Sequence, residues 1–107
     1  MLTEKDYCDY DTCVALKEIG YPLISKEVRY EDNAVFVPGV LLYSAQKWLR
    51  EEHQIHIMVD RFGQDYMWCI KEKGALGITH QEYEDYVNYE SALLGGIKYA
   101  IKLLKGE

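Results

Sequence analysis

The sequence predicts an α+β fold: a small antiparallel sheet of two to three strands, with a further N-terminal hairpin, packed against two longer helices and one short N-terminal helix. Three observations predict it. Residues 55–59 and 66–71 alternate apolar and polar positions on either side of a Gly-containing turn, as a β-hairpin with one buried face does. Residues 41–53 and 89–105 carry apolar side chains at helical spacing. The 107 residues are 49% hydrophobic and 28% charged, a balance that suits one globular domain spanning 1–107.

Taken in order, Asp11 reads as an N-cap for a helix over 12–19, with Gly20 and Tyr21-Pro22 as its stop. That helix should bury Cys13, Leu16 and Ile19. Val28 and Tyr30, then Val35 and Val37, flank Glu31-Asp32-Asn33 and predict a small hairpin over 28–37. Pro38-Gly39 breaks the chain. Leu42, Ala45 and Leu49, flanked by Leu41 and Trp48, then form the apolar face of a helix whose other face carries Lys47, Arg50 and Glu51.

In the following strand Ile55, Ile57 and Val59 point one way, and His56, Met58 and Asp60 the other. Arg61 to Asp65, with Gly63 inside, makes the turn. In the next strand Tyr66, Trp68 and Ile70 share one face, and Met67, Cys69 and Lys71 the other. Lys73-Gly74 turns the chain again, and a faint pattern in 75–87 predicts a third strand. Asn88 caps the last helix, whose Leu93, Ile97, Ala100, Ile101 and Leu104 lie on one face. Gly95-Gly96 costs this helix roughly 1 kcal/mol per Gly relative to Ala, so close packing against a neighbour should compensate.

Net charge is −6, from 12 basic and 18 acidic residues. Nucleic-acid affinity comes largely from Lys and Arg on phosphates, so this balance disfavours nucleic acid as a partner. Lys98, Lys102 and Lys105 instead complement the negative end of the last helix. Three cysteines, Cys8, Cys13 and Cys69, form no Cys-x-x-Cys pair and point to no disulfide framework. No apolar run approaches the ~20 residues of a membrane span, and the acidic start does not resemble a signal peptide. A reducing cytoplasm is the expected compartment.

Glu51-Glu52-His53-Gln54-Ile55-His56 is the densest group of potential ligands. A zinc-protease helix spaces its two His at i and i+4 with Glu after the first; here the spacing is i and i+3 and Gln54 follows. His53 falls where the helix pattern ends and His56 in the strand, so the stretch reads as a helix-to-strand junction. A zinc site would need further ligands from Cys8, Cys13, Cys69, His80 or carboxylates. Cys8 reads as a near-terminal thiol and Cys13 as a buried small hydrophobe. The pairs Glu31/Asp32 and Glu84/Asp85 read as solvated surface. No nucleophile elbow, phosphate loop or dinucleotide fingerprint occurs. The 10 tyrosines, interleaved with carboxylates in "EYEDYVNYES", suit a recognition surface.

Three segments, "YDTCVALKEIGYP" at 10–22, "AQKWLREEHQIHIMV" at 45–59 and "YVNYESALLGGIKYAIKLL" at 86–104, resemble a group of small proteins of unknown function encoded by bacteriophages and prophages, notably of gut bacteria. The resemblance covers most of the chain except roughly 23–40 and 72–82. It implies no known activity, and so no catalytic, cofactor-binding or metal residues. The chain departs from that group at Gly95-Gly96, where better helix formers such as Glu-Ala are expected. The order helix, strands, helix over 41–104 is also similar to double-stranded-RNA-binding domains, and a sheet followed by a helix carrying "YESAL" is similar to antitoxins of the HicB kind, though fold order does not fix function.

The expectation is therefore a non-enzymatic binding protein without cofactor, acting on a protein partner or on a second copy of itself. Tyr83, Tyr86, Tyr89, Met58 and Met67 are the candidate interface residues, with Cys69 beside the two methionines on the outward strand face. The alternatives are a nucleic-acid-associated regulator and a metal-dependent hydrolase using His53 and His56.

Overall fold

The computed structural model describes residues 4–22, 28–30 and 36–107, and of residues 4, 28–30, 36–38, 62 and 83–85 the backbone only. A 3-10 turn at Glu4–Asp6 precedes α1 (Tyr10–Glu18), β1 (Val28–Tyr30), β2 (Phe36–Pro38), α2 (Leu42–His53), β3 (His56–Phe62), β4 (Asp65–Lys71), β5 (His80–Tyr86) and α3 (Tyr89–Lys105). The fold is α+β, as expected.

The first helix starts two residues earlier than the sequence predicts. Asp9, not Asp11, is its cap: Asp9 Oδ1 accepts from the Thr12 N–H at 2.9 Å. Asp11 sits in the first turn instead, where the helix dipole favours a carboxylate. Cys13 and Leu16 are buried and Ile19 half-buried. The hairpin forms, with Val28 opposite Pro38 and Tyr30 opposite Phe36; its turn at Glu31-Asp32-Asn33 lies outside the described residues.

In α2, Leu42, Ala45 and Leu49 are fully buried, and Lys47, Arg50 and Glu51 are exposed. The helix ends because Gln54 takes a left-handed conformation (φ 55°), and the Ile55 N–H returns to the Leu49 carbonyl at 3.1 Å. Gln46 Nε2 donates to the Ile57 carbonyl at 2.8 Å, tying α2 to the start of β3.

The three-stranded sheet has the order β3-β4-β5, antiparallel throughout. Cross-strand partners share a face, so its inner face is built of three rows: Ile57–Ile70–His80, Val59–Trp68–Glu82, and Arg61–Tyr66–Tyr86. The register shifts between Tyr66 and Trp68. The weakly signalled third strand is thus real. Its inner-facing residues are polar, which is why its alternation is faint.

Asn88 caps α3 by accepting from the Ser91 N–H at 2.8 Å. The helix lays Leu93, Gly96, Ile97, Ala100 and Ile101 on the β3–β4 half of the sheet and on α2. Its two glycines sit at the crossing. A Cβ on Gly96 would lie 2.6 Å from Ile57 Cγ2 and 3.3 Å from Trp68 Cβ. One on Gly95 would lie 3.1 Å from Trp68 Nε1 and would strike the Tyr86 hydroxyl. Close approach of helix to sheet is what the helix gains for its weak propensity there. One hydrophobic cluster joins Cys8, Leu16, Leu42, Leu49, Ile57, Trp68, Ile70, Leu93 and Ile97 across these elements.

Candidate functional site

His53 and His56 do not converge. The His53 ring packs edge-on against Trp48, with centroids 4.8 Å apart, and Trp48 in turn meets Tyr21 at 5.3 Å. His56 lies beyond the Gln54 bend, exposed, on the outer sheet face opposite Lys71. Among the described residues no three His, Cys, Asp or Glu side chains come together as metal ligands would. Cys8 and Cys13 are both buried free thiols, so Cys8 is not the loose terminal thiol its position implies. Contact with the Cys13 thiol, then burial, pushes the Cys8 thiol far above its ordinary range. The Cys8 sulfur therefore stays protonated.

The outer face of the sheet carries Met58, Met67 and Cys69. Met58 is 41% exposed and Met67 only 8%, with Cys69 half-buried. Met67 is therefore already packed within this chain, and Met58 alone of the two methionines stands out to solvent. Burial, and then the Asp60 charge across the strand pair, raises the Cys69 thiol above its ordinary value.

The tyrosines are distributed more tellingly. Tyr66 of β4 and Tyr89 of α3 meet edge-to-face with centroids 6.4 Å apart, and the Arg61 guanidinium lies 5.3 Å over the Tyr66 ring. Burial pushes the Tyr89 phenol upward, and the charges of Tyr43 and Glu90 add to the shift; the start of α2 lies near the start of α3, where Leu42 lines one cleft with Asn88, Glu90 and Ser91. Tyr43 is 53% exposed, and Val87, two residues before Tyr89, is 77% exposed. One end of the molecule thus gathers aromatic side chains from α2, β4 and α3. Tyr86 stands next to Tyr66 across β4–β5 and turns its hydroxyl inward. Tyr83 lies in β5, with its side chain outside the described residues.

Where β5 extends past α3, the inner face of the sheet becomes polar. Trp68 Nε1 donates to Tyr86 Oη at 3.2 Å, and Tyr86 Oη donates to Glu82 at 2.7 Å. A second chain runs alongside: Glu72 Oε1 lies 2.6 Å from His80 Nε2, and His80 Nδ1 lies 3.1 Å from Tyr99 Oη. The Tyr99 ring packs on both His80 and Trp68, at 4.9 and 5.0 Å. The strands bring Glu72 and His80 together, because Glu72 follows Ile70 on its own side and His80 is the partner of Ile70. With a proton on Nε2, His80 donates to Glu72 and accepts the Tyr99 hydroxyl proton at Nδ1. In front of Tyr99 opens a cavity of ≈ 180 Å³ bounded by Trp68, Glu82, Tyr86, Gly95, Lys98 and Lys102. Of the groups in the second chain, the sequence signals only His80, and only as a stray ligand. Glu72 sits in a turn and Tyr99 on a helix, with nothing in their spacing to join them.

Compared with known proteins, the chain matches no family model, no curated protein and no solved structure. No helix among the described residues is long and apolar enough to cross a membrane.

Proposed function

We propose that this is a small non-enzymatic binding protein, of phage or prophage origin and working in the cytoplasm, that acts through a protein–protein interface at its tyrosine-rich end. The observation that carries this reading is the Tyr66–Tyr89 ring pair joining β4 to α3 with Arg61 over one ring, beside the start of α2 where Tyr43 is exposed and with Val87 exposed close by in sequence. Tyr and Arg are the residues that dominate interface energetics, since they bring large contact area at small entropic cost. Val87 and Tyr43 are both exposed large hydrophobic residues among the described residues. The net charge of −6 favours a basic partner. Affinity capture from the source cells, with wild type and a Tyr43→Ser/Val87→Ser double variant, tests it. A protein held by wild type and lost by an equally folded variant supports the reading. If the sole partner is a second copy, sedimentation shows a wild-type dimer and a variant monomer. Identical partners for both chains refute it.

One observation favours a second reading, a nucleic-acid-associated regulator. Arg50, His56 and Lys71, from three elements, line one cleft of ≈ 370 Å³ together with Ile57 and Met58. Basic groups so gathered suit phosphates despite the acidic total. An electrophoretic shift at low salt, weakened by Arg50→Gln/Lys71→Gln, is the expected result; no shift with duplex or single strand removes this reading.

A further inference from the structure

We infer that the polar corner between β5 and α3 binds a small planar carboxylate. Its walls are aromatic: Trp68 and Tyr99 pack at 5.0 Å, and Tyr86 is fixed beside them by its hydrogen bonds to Trp68 and Glu82. The space of ≈ 180 Å³ is close to the ~150 Å³ cavity that accepts one benzene ring. Tyr99 is held by more than packing needs. The part-exposed Glu72 lies 2.6 Å from His80, and His80 Nδ1 accepts from the Tyr99 hydroxyl at 3.1 Å, which fixes the position of the Tyr99 ring at the cavity wall. Lys98 and Lys102 stand one helical turn apart at the mouth. Asp9 holds Lys98 at 2.9 Å, which leaves Lys102 as the cation that meets a carboxylate. Glu82 on the facing wall is partly occupied by the Tyr86 hydroxyl and repels a doubly charged anion more than a singly charged one, which favours a monoanion over a dianion. Gly95 keeps the floor open: a Cβ there would press on Tyr86 and Trp68.

Benzoate is the probe, titrated into the full wild-type chain and followed by the indole N–H signals of Trp68 and Trp48 in NMR. Saturable movement of the Trp68 signal with the Trp48 signal still is expected. Benzyl alcohol and inorganic phosphate should bind at least about tenfold more weakly, and Lys102→Gln should weaken benzoate about tenfold, the worth of one charge-assisted hydrogen bond. Tyr99→Phe, which keeps the ring packing and removes only a hydroxyl already turned to His80, should leave benzoate affinity within about twofold. Both variants are checked for native folding by circular dichroism. The inference is overturned by an unresponsive Trp68 signal, by equal binding of phosphate or benzyl alcohol, or by undiminished benzoate binding in Lys102→Gln.

Discussion

Gly96 offers the sharpest test of how the helix and the sheet fit together. In an exposed helix, replacing Gly by Ala stabilises by about 1 kcal/mol. Here the added methyl would sit 2.6 Å from Ile57 Cγ2 and 3.3 Å from Trp68 Cβ, where ordinary contact between carbons is ~3.5–4.0 Å. Neither neighbour yields easily. Ile57 is β-branched and 4% exposed, and the Trp68 Cβ is fixed by its strand backbone. Gly96→Ala must therefore lift α3 or push β3, an overpacking cost of about 2–3 kcal/mol. After the propensity gain, a net loss of roughly 1–2 kcal/mol is expected. Gly95→Ala should lose less, because the hydroxyl end of Tyr86 that it meets can shift by giving up its hydrogen bonds to Trp68 and Glu82, whereas Ile57 and the Trp68 Cβ cannot. Urea unfolding followed by circular dichroism measures both, as a lower midpoint at unchanged slope. A double-mutant cycle with Ile57→Ala isolates the clash: the two changes together should cost at least ~1 kcal/mol less than their sum. A Gly96→Ala chain more stable than wild type would refute the close approach of α3 to the sheet.

Two further outcomes are expected. Thr12 is 3% exposed, and its hydroxyl has no hydrogen-bond partner among the described residues, so the near-isosteric Thr12→Val should stabilise by about 1 kcal/mol in the same assay; destabilisation would mean the hydroxyl is satisfied. Burial alone would raise the Asp9 carboxyl, but its hydrogen bonds from Lys98 and Thr12 outweigh burial and hold it below the usual 3.8. Its contribution is therefore present above about pH 4 and lost as pH falls through the lower folded value. Asp9→Asn, which keeps a good cap, should cost less than about 1 kcal/mol at pH 7 because the pair is half exposed, and the difference from wild type should shrink toward pH 3. A difference that grows on acidification would reverse that sign.

The parts of the fold legible in the sequence are those whose period matches their burial. Leu42, Ala45 and Leu49, Ile57 and Val59, Trp68 and Ile70, and Leu93, Ile97 and Ala100 each mark an element by spacing alone, because each faces one core. The first helix is misplaced by two residues because Asp9 and Asp11 are equally good caps by type, and only geometry selects Asp9. β5 is faint because its inner face carries His80, Glu82 and Tyr86, whose polarity hides the alternation. That same polarity makes the corner, so the feature that obscures the strand creates the cavity. His80 alone hints at it, as a possible ligand with no partners marked by spacing. The junction at His53–His56 reads correctly as a helix handing over to a strand, with Gln54 supplying the bend. Which tyrosines meet depends on three elements distant in sequence, and no local pattern carries that.

The reading of the tyrosine-rich end as an interface is tested most directly by placing a photoreactive phenylalanine analogue at Tyr43 and, as a control, at Leu104, which is also exposed but lies at the far end of α3. Irradiation in the source cells should give one discrete crosslinked product from position 43, abolished by Val87→Ser/Tyr89→Ala, and little from position 104. Equal or absent crosslinking at the two positions would contradict it.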